Sequence, residues 1–275
     1  MLFCYKSPSF CNNCANPSKG DCLLLEQLIN KIFKNMKKLL LLVMLIPMLA
    51  LAQNDGSKLL NMSEITVKSG HESQFVAGVK MWKECYLENK GTDKFNVWRR
   101  VQGEGIMYVL TSSMDNWAEM DKKDEAGKEC RSKVIDFIMP HVEKVNYSIA
   151  RTMPELSRSA SGEGTKLVWV SFFRVENSTD FKEVIKEIGS ALRAVEGAPR
   201  GTWYNFMGGG PDSPDYMISN PYKGYADLDI TRDGVWKIYE NKNGKKKTDD
   251  LRTKAIASVE NSWSYLYSLN EELSN

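Results

Sequence analysis

The sequence predicts an α+β protein made of two tandem units, each with the element order β-α-β-β-α-β. The first observation behind this is a stretch that occurs twice. Residues 108–121 match residues 216–229, with Tyr108 against Tyr216, Trp117 against Tyr225, Ala118 against Ala226 and Asp121 against Asp229. Leu110, Glu119 and Met120 face Ile218, Asp227 and Leu228 at the same spacing. Self-similarity at one offset over a domain-sized distance indicates a duplication, whereas a solenoid array needs shorter and more numerous units. The second observation is that the match extends outward. Phe75 pairs with Phe181, Trp98 with Tyr204, Arg131-Ser132-Lys133 with Arg252-Thr253-Lys254, and Glu155-Leu156-Ser157 with Glu272-Leu273-Ser274. The third is that hydrophobic periodicity gives the same order of elements in both halves.

Before the first unit stands a leader. Residues 1–35 read as an unstructured or non-native stretch, and Met36-Lys37-Lys38 opens a positively charged region. Leu39 to Leu51 is apolar apart from Pro47, and Ala50-Leu51-Ala52 is a small-x-small cleavage site before Gln53. That is the pattern of a secretory signal peptide over 36–52, too short to span a bilayer. The chain is therefore expected to be periplasmic or secreted, with no membrane attachment once the signal is cleaved. The leader holds Cys4, Cys11, Cys14 and Cys22, but one Cys-x-x-Cys without a partner knuckle or histidine pair is no zinc site.

Cleavage after Ala52 leaves 223 residues with 31 Lys+Arg and 33 Asp+Glu, a formal charge of −2. Such a balance shows no nucleic-acid footprint. The run Lys245-Lys246-Lys247, after Asn243-Gly244, reads as a solvated loop. Three Asn-x-Ser/Thr triplets are present, and the short Lys-Lys leader has a bacterial character that makes them coincidental.

The first unit spans 53–158. Leu59 to Lys68 is strand-like and stops at Ser69-Gly70. Phe75, Val79, Trp82 and Tyr86 mark one face of a helix. Strands follow over 95–101 and 106–112, joined by the Gln102-Gly103-Glu104-Gly105 turn. A helical segment then places Cys130, Val134, Phe137 and Ile138 on one face, and a last strand covers 145–152.

The second unit spans 165–275. Leu167 to Val175 is an apolar strand. Phe181, Val184, Ile185, Ile188, Leu192 and Val195 recur at helical spacing, with Asn177 or Ser178 as N-cap and Gly197 as stop. Trp203 to Met207, Tyr216 to Asn220 and Trp263 to Leu269 complete its strands. The Gly208-Gly209-Gly210 turn joins two strands and opens no helix, which argues against a phosphate cradle.

This order is the split βαβ, or ferredoxin-like, unit. Two of them, with the Trp/Tyr-Ala-Glu/Asp-Met/Leu-Asp segment after the third strand, resemble the dimeric α+β barrel superfamily, which includes antibiotic-biosynthesis-monooxygenase-like and NIPSNAP-like proteins. The resemblance covers about residues 57–274. It implies that the two sheets face each other, here within one chain, as a monomer with a pseudo-dimeric barrel or a further homo-oligomer. Haem-degrading members use an asparagine on the first strand, a tryptophan and a histidine about ten residues beyond it. Asn61 and Trp117 answer to the first two, but Gly127 stands where the histidine would be.

The chemistry candidates are few. His71 and His141 read as helix-end residues, with no His pair at i, i+4 and no metal cluster. No Gly-x-Ser-x-Gly elbow appears. The expectation is therefore no metal, no cofactor and no recognisable catalytic apparatus. Trp98, Arg100, Tyr108, Trp117, Tyr204, Tyr216 and Tyr225 could line an apolar cleft for a small hydrophobic or aromatic ligand, with Arg100 holding an acidic group. The bland alternative is that these rings are core packing. A cofactor-free oxygenase-like enzyme and an interaction module with a filled barrel are the other readings. Cys85 and Cys130 are disulfide candidates, since both helices of such a unit pack on the same side of the sheet. A bridge would close a loop of about 45 residues, contributing roughly 4 kcal/mol, and the alternative is two buried free thiols.

Overall fold

The computed structural model describes residue 31, residues 56–158, residue 162 and residues 164–275. The expected leader, the signal peptide and the cleavage point between Ala52 and Gln53 lie outside the described residues, Lys31 alone excepted. Gly56–Asn275 is one compact unit.

Eight strands close into a barrel: β1 (Leu59–Val67), β2 (Phe95–Arg100), β3 (Ile106–Met114), β4 (Val142–Thr152), β5 (Leu167–Val175), β6 (Thr202–Phe206), β7 (Tyr216–Tyr222) and β8 (Val259–Leu269). Around the barrel they run β1-β3-β2-β8-β5-β7-β6-β4, and every recorded pair is antiparallel. The expected α+β barrel is what the structure shows. Each half of the chain supplies four neighbouring strands. Within a half the ladders are long, as in the nine-residue register from Leu59↔Met114 to Val67↔Ile106. The two seams are short: Trp98 to Arg100 against Tyr267 to Leu269, and Ala150 to Thr152 against Tyr204 to Phe206. Closure removes the sheet edges that would otherwise offer unpaired backbone.

Side chains alternate across each strand, so one set faces the barrel interior and the other meets the helices. Helix α1 (Glu72–Glu88) buries Phe75, Val79 and Tyr86. They pack with Val67, Phe95, Val97 and Tyr108 from the outer faces of β1, β2 and β3. Gly78 is required there, because a Cβ would lie 2.1 Å from the Phe137 carbonyl oxygen.

In the second half, α4 (Ser178–Glu196) starts at Asn177, whose side chain accepts from the Thr179 and Asp180 amides, and ends at Gly197 with φ 83°. Phe181, Val184, Ile185 and Leu192 are buried as the periodicity predicts, but Val195 is 60 % exposed. It falls in the last turn of the helix.

The segment after β3 departs most from expectation. It breaks into α2 (Glu125–Glu129), α3 (Arg131–Lys133), a π turn over Val134–Ile138 and a 3-10 turn over Met139–His141. Cys130 and Ile138 are buried as expected, whereas Phe137 is 40 % exposed. In the π turn the Met139 amide reaches back to the Val134 carbonyl, so the wider turn rotates Phe137 off the apolar face. The corresponding stretch of the second half forms α5 (Val235–Asn243) and α6 (Lys245–Ser258). Lys245-Lys246-Lys247 is thus the first turn of a helix and not a loop. Lys245 and Lys246 pair with Asp249 and Asp250 at 2.7 and 2.9 Å, which offsets their unfavourable place at a helix N-terminus.

The repeated Glu-Leu-Ser triplet is a reciprocal latch. Leu156 leaves the first half and is buried against Phe181, Ile185 and Tyr216 of the second. Leu273 leaves the second half and is fully buried in the cluster beneath α1. The Trp203 amide donates to Ser157 Oγ, and the Val97 amide donates to Ser274 Oγ, both at 2.9 Å. Each half is therefore completed by the tail of the other.

Candidate functional site

The interior of the barrel is partly filled, with Met62, Val109, Val170, Phe172, Met217 and Tyr267 packed there in one buried cluster. A cavity of about 1370 Å³ enters it and reaches Glu64 on β1. Its walls come from both halves: Met62, Trp98 and Val109 from the first, and Val170, Phe172 and Met217 from the second. Tyr204 and Tyr267 also line it, and burial raises both phenols above the ordinary tyrosine value. Trp98 is oriented by its indole N–H, which donates to Thr111 Oγ1 at 3.0 Å.

At the mouth, Asn89 to Lys94 and Lys122 to Ala126 form part of the rim. The rim is tied together by the bond between Cys85 at the end of α1 and Cys130 after α2, with Cα atoms 5.9 Å apart. Asn89 Nδ2 approaches both sulfurs at 3.7 Å.

Among the described residues, Glu64 carries the one carboxylate that the inward faces of the barrel strands contribute to the cavity wall. Its alternation with Met62 and Leu60 turns it inward, opposite Val109 on β3 and Asn146 on β4. Burial raises its pKa above the usual carboxylate range, and Arg100, the Asn146 side chain and Lys144 oppose that rise. In the other half Phe172 stacks on Trp263 with centroids 5.6 Å apart, and Phe206 lies 6.5 Å from Phe172.

The seven residues expected to form one cleft fall into four groups. Trp98 and Tyr204 line the cavity. Arg100 is not among the residues lining it: its guanidinium lies 4.7 Å over the Tyr265 ring, donates to the Glu104 carbonyl and approaches Met107 Sδ at 3.6 Å. Tyr108 and Tyr216 point the other way, into the cores beneath the helices. The pairing Trp98↔Val109 and Arg99↔Tyr108 sets Tyr108 opposite a residue of the outer face. Trp117 and Tyr225 lie on short 3-10 turns (Trp117–Asp121 and Tyr225–Asp229), 42 % and 56 % exposed.

Two clusters outside the barrel interior were not foreseen. Under α1, Glu72 receives Arg99 Nε at 2.6 Å and the Tyr108 hydroxyl at 2.9 Å. Those hydrogen bonds, led by Arg99, hold the Glu72 carboxyl below its usual range, and burial with Glu72 pushes Tyr108 up to about 12. His71 and His141 are not isolated helix ends, because their Nδ1 atoms are 2.9 Å apart, one donating and the other accepting. Among the described residues no group of three or more potential ligands could hold a metal, and no helix is long and apolar enough to cross a membrane.

No family model and no curated protein matches the chain. Solved structures of similar shape include an anthrone oxidase-like protein, 10% identical over 78% of this chain and 92% of its own, with a TM-score of 0.47. A heme-binding protein from Thermus thermophilus is 10% identical over 79% and 92%, with a TM-score of 0.42. A mutant chlorite dismutase from Candidatus Nitrospira defluvii is 8% identical over 79% and 92%, with a TM-score of 0.43. Likeness at these levels says nothing about the chemistry inside the barrel, which rests on this chain's own residues.

Proposed function

We propose that the chain is an exported barrel that binds a small apolar or aromatic molecule in its interior, built from two tandem ferredoxin-like βαββαβ units. The observation that carries this reading is the open interior, with apolar walls drawn from both halves and a small number of polar groups. The duplication is supported by the matched registers β1–β3 and β5–β7 and by the exchanged Leu156 and Leu273 tails. Export is supported by the sequence pattern over 36–52 and by the Cys85–Cys130 bond, since oxidising compartments preserve disulfides.

Calorimetric titration with 2-naphthylmethanol tests the binding reading. The expected result is saturable binding that Val170→Trp, which fills the cavity, abolishes. Ser219→Trp, directly opposite Val170 on the neighbouring strand and less buried than it, is a second filling change. Absence of saturable heat with the parent protein overturns the reading. So does unchanged binding by a folded filled variant. Amino-terminal sequencing of exported protein tests processing, with residue 53 expected first.

A further inference from the structure

A pocket for a purely apolar molecule has no use for a carboxylate on its wall, because removing a charge from water is costly unless it is paired. Glu64 nevertheless faces the cavity, and among the described residues no ion pair includes it. Neither neighbouring cation forms an ion pair with it, although both favour its carboxylate. Arg100 sits over the Tyr265 ring and donates to the Glu104 carbonyl, and Lys144 reaches Glu64 only through its field. The remaining groups facing Glu64 are the Asn146 side chain on β4 and the Tyr267 phenol on β8. Tyr267 faces it, and the rings of Trp98, Phe172 and Tyr204 line the same cavity. A carboxylate within a set of aromatic faces is the arrangement that recognises an organic cation.

We infer that Glu64 makes this cavity selective for a protonated amine carried on an apolar or aromatic body. The ammonium pairs with the carboxylate, and the body fills the space between Trp98, Tyr204 and Met217. This rests on the binding reading above and names its ligand class. The desolvation of Glu64 is already present in the free protein, so an incoming ammonium supplies the missing partner. An acidic ligand, which Arg100 would have suited had it lined the cavity, meets like charge instead.

Three probes of one shape decide the matter: 2-naphthylmethylamine, 2-naphthylmethanol and 2-naphthoate, titrated calorimetrically at pH 8. The amine is expected to bind about tenfold or more tighter than the alcohol, the worth of a hydrogen bond to a charged group. The naphthoate is expected to bind weakest. Glu64→Gln should bring the amine to the level at which the same variant binds the alcohol. Glu64→Leu, which also removes the hydrogen-bonding group, should do the same, and near-ultraviolet circular dichroism checks that both variants are folded. Preference for the naphthoate, or an amine preference that survives in both variants, overturns the proposal and leaves the binding reading standing. Failure of all three probes to bind overturns both.

Discussion

The two halves of the barrel place opposite chemistry at the same topological positions. Glu64 on β1 lies between Val109 and Asn146, whereas Phe172 on β5 lies between Met217 and Trp263. Near the end of β2 stands Arg100, and at the end of β6 stands Phe206. One half thus brings charge and amide groups inward, and the other brings rings that stack on each other. A closed barrel of identical halves would carry either two buried carboxylates or none. Divergence between the halves permits a single acid against an aromatic wall, which gives the cavity a polar end and an apolar end. The helix layers diverge similarly. At the offsets set by the repeat, Cys85 and Cys130 correspond to Ala191 and Leu251, which are buried together in the second helix cluster. A covalent tie in one half stands where the other uses apolar packing.

Removing that tie should separate the halves most. Reduction, or the Cys85→Ala, Cys130→Ala double change, frees a separation of 45 residues and is expected to lower stability by about 4 kcal/mol in the chain-entropy model. Urea unfolding with and without reductant measures this. A reductant effect near zero would show that the broken segment between α2 and β4 is held by packing alone.

The tails offer a test of equality instead of difference. Leu273→Ala and Leu156→Ala each empty a buried leucine site and are expected to cost about 3 kcal/mol. Similar losses from both would support reciprocal docking. A loss confined to Leu273→Ala would mean that only the first half depends on its partner's tail.

How much of this was legible follows from what alternation and periodicity encode. Strand positions could be read because Leu59 to Val67 and Leu167 to Val175 carry strong strand patterns, whereas closure into a barrel was implied only by the superfamily resemblance. The face of each strand could not be read from a ring's size. Tyr108 and Trp98 are both large, and only the register Trp98↔Val109 shows that they point to opposite sides. The signal for Glu64 was available, because it is the charged residue on the inward parity of β1; its match to Phe172 comes from the strand registers. Aromatic residues drew attention because they are conspicuous, although a lone acid among apolar inward positions is the more informative departure. The π turn was not legible, since its wider hydrogen bonding leaves no mark on an apolar pattern. The contact between His71 and His141 was not legible either, because it joins residues 70 positions apart.

A smaller effect should distinguish the tyrosines outside the barrel. Tyr108 donates to Glu72 at 2.9 Å, while Tyr216 packs in the corresponding place against Phe181. Tyr108→Phe is expected to cost about 1 kcal/mol, the usual net worth of such a bond, and Tyr216→Phe less. Because the Glu72 carboxyl is held below its usual range, its contribution is present above the unfolded pKa and is lost as pH falls through the folded one. The Tyr108→Phe penalty should therefore shrink in acid, as paired denaturation curves at pH 7 and pH 3 would reveal. A penalty independent of pH would remove Glu72 as its cause.

Glu64 should show the opposite sign and the smallest effect. Burial raises its pKa in the folded protein, so the folded state holds a proton more tightly than the unfolded chain. Stability then declines as pH rises from the unfolded pKa through the folded one. Phe172, at the matching position, has no such dependence. Replacing Glu64 with glutamine removes the charge while keeping the shape, so Glu64→Gln should be more stable than the parent at pH 8 and nearly equal to it at pH 4. The gain is small because Arg100, Asn146 and Lys144 already favour the carboxylate. Denaturation of both proteins at the two pH values measures the difference. If the variant gains nothing at pH 8, the carboxylate is adequately compensated in the empty barrel, and the distinction between a charged half and an apolar half loses its energetic meaning. If the gain is present and 2-naphthylmethylamine abolishes it by stabilising only the parent, the same carboxylate that weakens the empty barrel is what its ligand completes.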